Sequence, residues 1–143
     1  MMELQVNGHT TYCYTGGKAF EAAKPTVVFI HGVLHDHSVW ILQTRYLANH
    51  GWNVLASNTK VNLFHTGFKA CDSYSNGEIA MAKVQCPVLF VLGRVDQMTP
   101  PAAAQNLVKL ARDGRVVVLP VGHHEMTEAP EAMLAALTGF LKP

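Results

Sequence analysis

Four short apolar runs punctuate the chain, at residues 26–30, 53–56, 88–92 and 115–119, and none is longer than a strand. Thr26-Val27-Val28-Phe29-Ile30 shows no polar alternation, the pattern of a strand buried on both faces in a parallel sheet. Between the runs the period changes. Trp40, Gln43, Tyr46 and Leu47 recur at helical spacing, Asp36 is placed to cap and Gly51 to stop the element, so a helix is predicted from about His37 to His50. Residues 26–57 thus form a strand-helix-strand crossover, right-handed almost by rule. Further helices are predicted at 78–84, at 100–112 behind a first-turn proline, and at 125–141, where Met126, Met133, Leu134, Leu137 and Phe140 share one broad face. Asn7-Gly8 between 4–6 and 11–14 signals a tight hairpin, whereas residues 58–70 lose periodicity and predict irregular connecting structure. Strands alternating with helices give an α/β fold: a mostly parallel sheet with flanking helices, in a single domain spanning 1–143.

Composition narrows the partners. With 143 residues, 49% of them hydrophobic, the chain is large enough for one buried core. Eleven Lys+Arg face ten Asp+Glu, a net charge of +1 with no basic run, so a phosphate backbone finds no target. Nucleic acid is not expected. No apolar stretch approaches the roughly 20 residues needed to span a bilayer, so no membrane is expected either. Met1-Met2-Glu3-Leu4-Gln5 lacks the blocks of a signal peptide, and the expected location is the cytoplasm. Cys13, Cys71 and Cys86 are odd in number and widely spaced, which suits buried free thiols rather than a disulfide framework or a metal clamp.

In an open parallel sheet, ligands collect beyond the carboxyl ends of the strands. Three segments occupy such places: His31-Gly32-Val33-Leu34-His35-Asp36-His37-Ser38-Val39-Trp40, Gly93-Arg94-Val95-Asp96-Gln97-Met98-Thr99-Pro100, and Gly122-His123-His124-Glu125. They bring a glycine-opened loop, a carboxylate and an imidazole to one rim, the raw material of nucleophilic catalysis.

Taken in order, these segments resemble the α/β-hydrolase superfamily. His31-Gly32 with Trp40 looks like its oxyanion loop, Leu92-Gly93 through Asp96 to Thr99-Pro100 like its acid loop, and Gly122-His123 before Glu128-Ala129-Pro130 like its histidine loop. The resemblance covers about residues 6–56 and 63–141. It implies a minimal, truncated α/β-hydrolase fold, with Asp96 as triad acid, His123 as base, and the Gly32-Val33 backbone as oxyanion donor. One part is missing. No G-x-S-x-G elbow occurs; the chain runs from Ala56-Ser57-Asn58 into a segment like that following the family's lid.

A different residue must therefore be the nucleophile if the chemistry is retained; Cys71 and Cys86 are thiol candidates, but Cys86 immediately precedes an apolar strand and reads more simply as core. Ser38 lies in a rim loop near a helix start, where partial positive charge favours an alkoxide; it could equally be an ordinary first-turn serine. Ser57, at the end of the strand 53–56, is the reserve. The expectation is a carboxylic-ester hydrolase acting on small or short-chain esters through an acyl-enzyme, with no metal and no cofactor. The rivals are a noncatalytic remnant or binding module, and a metal-dependent hydrolase built on His31, His35, Asp36 and His37. Loss of strands from the parent sheet would leave open edges, so a homo-oligomer is expected.

Overall fold

The computed structural model describes residues 1–58 and 64–141. Its first element pair is set by Asn7 (φ 51°) and Gly8 (φ 79°), the two positive-φ positions that a two-residue hairpin turn requires. Strands β1 (Met2–Val6) and β2 (His9–Tyr14) close antiparallel on this turn, with Val6 opposite His9. Next come β3 (Thr26–Phe29) and β4 (Asn53–Asn58), which pair in parallel from Thr26 opposite Asn53 to Phe29 opposite Ala56. Because β4 also pairs antiparallel with β2, the sheet is mixed, in the order β1-β2-β4-β3.

The crossover from β3 to β4 begins as a 3-10 turn, His37–Trp40, and continues as α1 (Ile41–Asn49). Asp36 caps it as its position predicts, its carboxylate accepting the Ser38 amide at 2.7 Å. Gln43, Thr44, Leu47 and Ala48 form the buried face of α1, and Trp40 packs on Phe29 with ring centroids 5.4 Å apart. Gly16 (φ 68°) lets the chain pass close to this helix, since a Cβ there would stand 2.6 Å from the Thr44 carbonyl oxygen. The buried Asn53 side chain ties down the preceding loop, donating to the carbonyls of Glu21 (2.6 Å) and Lys24 (3.0 Å) and accepting the Glu21 amide (2.9 Å).

Two sequence expectations need correction in this part of the chain. The run 26–30 is not buried on both faces: Phe29 is 6% exposed, but Val28 is 61% and Ile30 77% exposed. As the outer strand, β3 turns its Phe29 face toward the Trp40 helix turn, and the alternation of strand side chains sends Val28 and Ile30 to the other face. Residues 58–70 are not wholly irregular either, because α2 occupies Phe64–Ser73. Phe64, Phe68 and Cys71 recur at i, i+4 and i+7 there, a pattern diluted by Gly67 and the surrounding polar residues; residues 59–63 lie outside the described part.

The chain divides into two compact units, one ending at Asp72 and the other beginning at Ser73. The second holds α3 (Gly77–Met81), β5 (Val88–Gly93), a 3-10 turn (Pro101–Ala104) leading into α4 (Gln105–Leu110), β6 (Gly114–Leu119), α5 (Glu125–Glu128) and α6 (Pro130–Phe140). Strands β5 and β6 form a parallel pair, Val88 opposite Gly114 through Gly93 opposite Leu119. The predicted closing helix 125–141 is broken at Ala129, whose φ −136° and ψ 62° are not helical. Pro130 is the reason, since its ring disfavours helical backbone in the residue before it. Among the described residues no helix is long and apolar enough to cross a membrane.

Candidate active site

The loops that follow β5 and β6 are fastened to each other before any side chain enters. Arg94 donates its amide to Leu119 (2.8 Å) and Val95 to Val121 (3.1 Å). Gly93 is buried where the two backbones almost touch: a Cβ there would overlap the Gly122 carbonyl oxygen and come within 2.8 Å of that of Val121. Its amide donates to Glu125 Oε1 at 3.0 Å. Only glycine fits this crossing.

Asp96 rises from the first of these loops, 4% exposed, and uses both oxygens. Oδ1 accepts the amides of Met98 (2.7 Å) and Thr99 (2.9 Å), which fixes the turn before the Pro101–Ala104 helix. Oδ2 accepts the Thr99 hydroxyl (2.7 Å) and His123 Nδ1 (2.9 Å). Burial works against the charge of Asp96, but the bonds from His123, Thr99 and Met98 outweigh it and hold the carboxyl well below the usual carboxylate range. With Nδ1 donating to an ionised carboxylate, the imidazole is left with Nε2 as the nitrogen that takes up a proton. Thr99 Oγ1 also stands 3.2 Å from the same Nδ1, closing a small triangle around Asp96 Oδ2.

The loop carrying His123 is held by a second carboxylate. Glu128 Oε2 accepts the Gly122 amide (2.8 Å) and Oε1 the His124 amide (3.0 Å). The Gly122 bond, followed by that of His124, lowers the Glu128 carboxyl below its ordinary range, so it is ionised near neutrality. The sequence pairs Asp96 with His123 but marks no role for Thr99, Glu125 or Glu128, although all three stand within six residues of a predicted site residue.

Ser38, Gly32 and Val33 belong to the first unit. Ser38 is exposed and lies in the first turn of the His37–Trp40 helix, where its hydroxyl and then its amide hydrogen-bond Asp36 and lower that carboxyl. The Gly32 carbonyl accepts the His35 amide (3.3 Å) in a turn whose third residue, Leu34, has a φ of 69°. Val33 packs its side chain toward Gly67, where a Cβ would be 3.2 Å away. Ser57 lies within β4 rather than beyond its end, and its hydroxyl faces the Phe29 carbonyl at 3.5 Å. In the His31–His37 cluster, His37 Nδ1 lies 3.9 Å from Asp36 Oδ1, and His31 Nδ1 lies 2.9 Å from the Gly32 carbonyl oxygen. Among the described residues no three His, Cys, Asp or Glu side chains converge as a metal site would require.

The fold is shared with known proteins. The solved structures it resembles include a predicted CIB-like hydrolase from Thermoplasma acidophilum (TM-score 0.74, 14% identity, covering 97% of this chain and 95% of that one). An enol-lactonase from Burkholderia xenovorans LB400 superposes with a TM-score of 0.78 at 11% identity, covering 97% and 99% of the two chains. The esterase Pf2001 of Pyrococcus furiosus gives 0.65 at 14% identity, covering 98% and 88%. At these identities the likeness establishes the fold, that of the α/β-hydrolases. No curated protein matches the sequence. Residues 42–126, more than half of the chain, match the family profile described as Serine hydrolase (FSH1), a stretch that includes Asp96 and His123 and leaves Ser38 outside. The chain thus joins an α/β-hydrolase fold to an Asp-His pair inside the matched segment, and it belongs to the serine hydrolase (FSH1) family.

Proposed function

We propose that the chain hydrolyses small or short-chain carboxylic esters through an acyl-enzyme, with Ser38 as nucleophile, His123 as proton-transfer residue and Asp96 as its orienting acid. The observation that carries this is the 2.9 Å bond from His123 Nδ1 to a buried, ionised Asp96. In the proposed reaction Ser38 Oγ attacks the ester carbonyl carbon while its proton passes to His123 Nε2. The tetrahedral oxyanion is met by the Val33 amide beside Gly32. Collapse expels the alcohol, which takes the proton back from Nε2, and water then repeats the sequence to release the acid. No cofactor enters these steps. For this to occur the Ser38 hydroxyl must leave Asp36, and both units must act as one domain.

A second reading, a noncatalytic member that kept the acid-base pair without a nucleophile, is favoured by the bond of the Ser38 hydroxyl to Asp36 and by the missing elbow. One experiment separates the two. The protein is offered a chromogenic short-chain ester, trapped with a serine-directed phosphonate, digested, and the labelled peptide sequenced. Hydrolysis with label on Ser38, both lost in Ser38→Ala, is expected. Label on Ser57, or undiminished turnover by Ser38→Ala, rejects Ser38; no turnover and no label selects the noncatalytic reading. Turnover abolished by a chelator without any label rejects the serine mechanism. Of the three free thiols expected to be buried, Cys13 is buried but Cys71 and Cys86 are exposed; free thiols suit the reducing cytoplasm, which we propose as the location of the enzyme.

A further inference from the structure

We infer that Glu128 is a positioning residue for His123: its carboxylate grips the backbone on both sides of the histidine and so sets the imidazole against Asp96. His123 lies between Gly122 and His124, and the two amides that flank it run to the two oxygens of one carboxylate, at 2.8 and 3.0 Å. A single bond would leave the intervening residue free to pivot. Two bonds from opposite sides fix both its place and its rotation, and bonds to an ionised acceptor are the stronger kind.

An ordinary helix cap would explain only half of this. α5 begins after His124, so the His124 amide bond to Glu128 Oε1 resembles the reciprocal cap of a first helical turn, in which a carboxylate reaches back to the preceding backbone. The Gly122 amide lies outside that turn, beyond His123, and no cap needs it. Space has been left for the contact: a Cβ on Gly122 would come 3.0 Å from Glu128 Oε1 and 3.2 Å from Oε2, so a side chain there would crowd the carboxylate. Glu128 is itself held, since its own amide donates to the His124 carbonyl at 2.8 Å. The grip, His123, and the bond to Asp96 form one connected chain of contacts.

This inference rests on His123 being the base, and its test does not depend on turnover alone. The Nδ1 proton of His123 should give a slowly exchanging NMR resonance, assigned by its loss in Asp96→Asn. In Glu128→Ala that resonance should broaden or vanish, and kcat should fall roughly 100-fold with KM unchanged, the usual cost of a reacting group displaced by about 1 Å. Glu128→Gln keeps one acceptor oxygen and should restore part of both signals, while Glu131→Ala, one turn further on, should alter neither. An unchanged resonance in Glu128→Ala, or in Glu128→Gln should the alanine variant fail to fold, overturns the inference. If the wild type hydrolyses no ester yet the resonance still depends on Glu128, the grip stands and the esterase proposal falls.

Discussion

Asp96 divides two duties between its two oxygens: one builds the turn that holds the residue, the other receives the imidazole. Asparagine in its place keeps an acceptor for the turn but offers an NH2 group to His123, which favours the wrong tautomer. Asp96→Asn should therefore fold and lose about 10⁴-fold in kcat, measurable as burst-corrected ester turnover. The same residue sets an acid limb of stability. Its carboxyl is depressed in the folded chain, so its contribution is fully present above the unfolded aspartate value of about 3.9 and is lost as pH falls through the folded value. Urea midpoints of wild type and Asp96→Asn should accordingly converge as pH is lowered from about 4 toward 2. A constant gap over that range would show that the carboxylate is not held by these bonds.

Among the elements, the decisive contact is the crossing of the loops after β5 and β6. Gly93→Ala would drive a methyl group into the Gly122 carbonyl oxygen, and neither backbone can yield without breaking the amide bonds that zip the loops together. Overpacking of this kind costs about 1–3 kcal/mol. The larger effect should be on the site, because Gly122 precedes His123. A thermal melt should show the moderate destabilisation, and the His123 Nδ1 resonance should be lost even at temperatures where the variant is folded. A variant with normal stability and an intact resonance would refute the tight crossing.

For the whole molecule, the outer strand β3 poses the main question. Among the described residues it pairs on one side only; it carries no charge or proline among Thr26–Phe29, and it turns Val28 and Ile30 to solvent. Soluble proteins blunt such edges or cover them. We propose that a second copy covers this one, pairing antiparallel across a two-fold axis, which would extend the sheet and satisfy the open backbone groups of the edge. Light scattering should then give a multiple of 15.6 kDa. The double variant Val28→Lys, Ile30→Lys should run as a monomer, since each lysine would face its like across the axis. A wild-type monomer at micromolar concentration would refute the assignment.

What was legible in the sequence was local or periodic. Asn7-Gly8 dictated a turn, Asp36 a cap, and the apolar runs the strands, because these depend on backbone preference and short-range spacing. The order of the Asp96 and His123 loops was legible too, since each follows a strand end in a parallel pair. Two features were decided by tertiary structure alone. The exposure of Val28 and Ile30 depends on which strand is outermost, and no spacing along the chain encodes that. The break at Ala129 is local instead, since Pro130 acts on the residue before it within a pattern whose apolar spacing runs on to Phe140. The bonds that bring Asp96 and Thr99 to His123 arise only when loops far apart in sequence are laid side by side, whereas Glu128 reaches backbone only four and six residues away: the imidazole's partners are set by where two loops meet, not by the residues beside it.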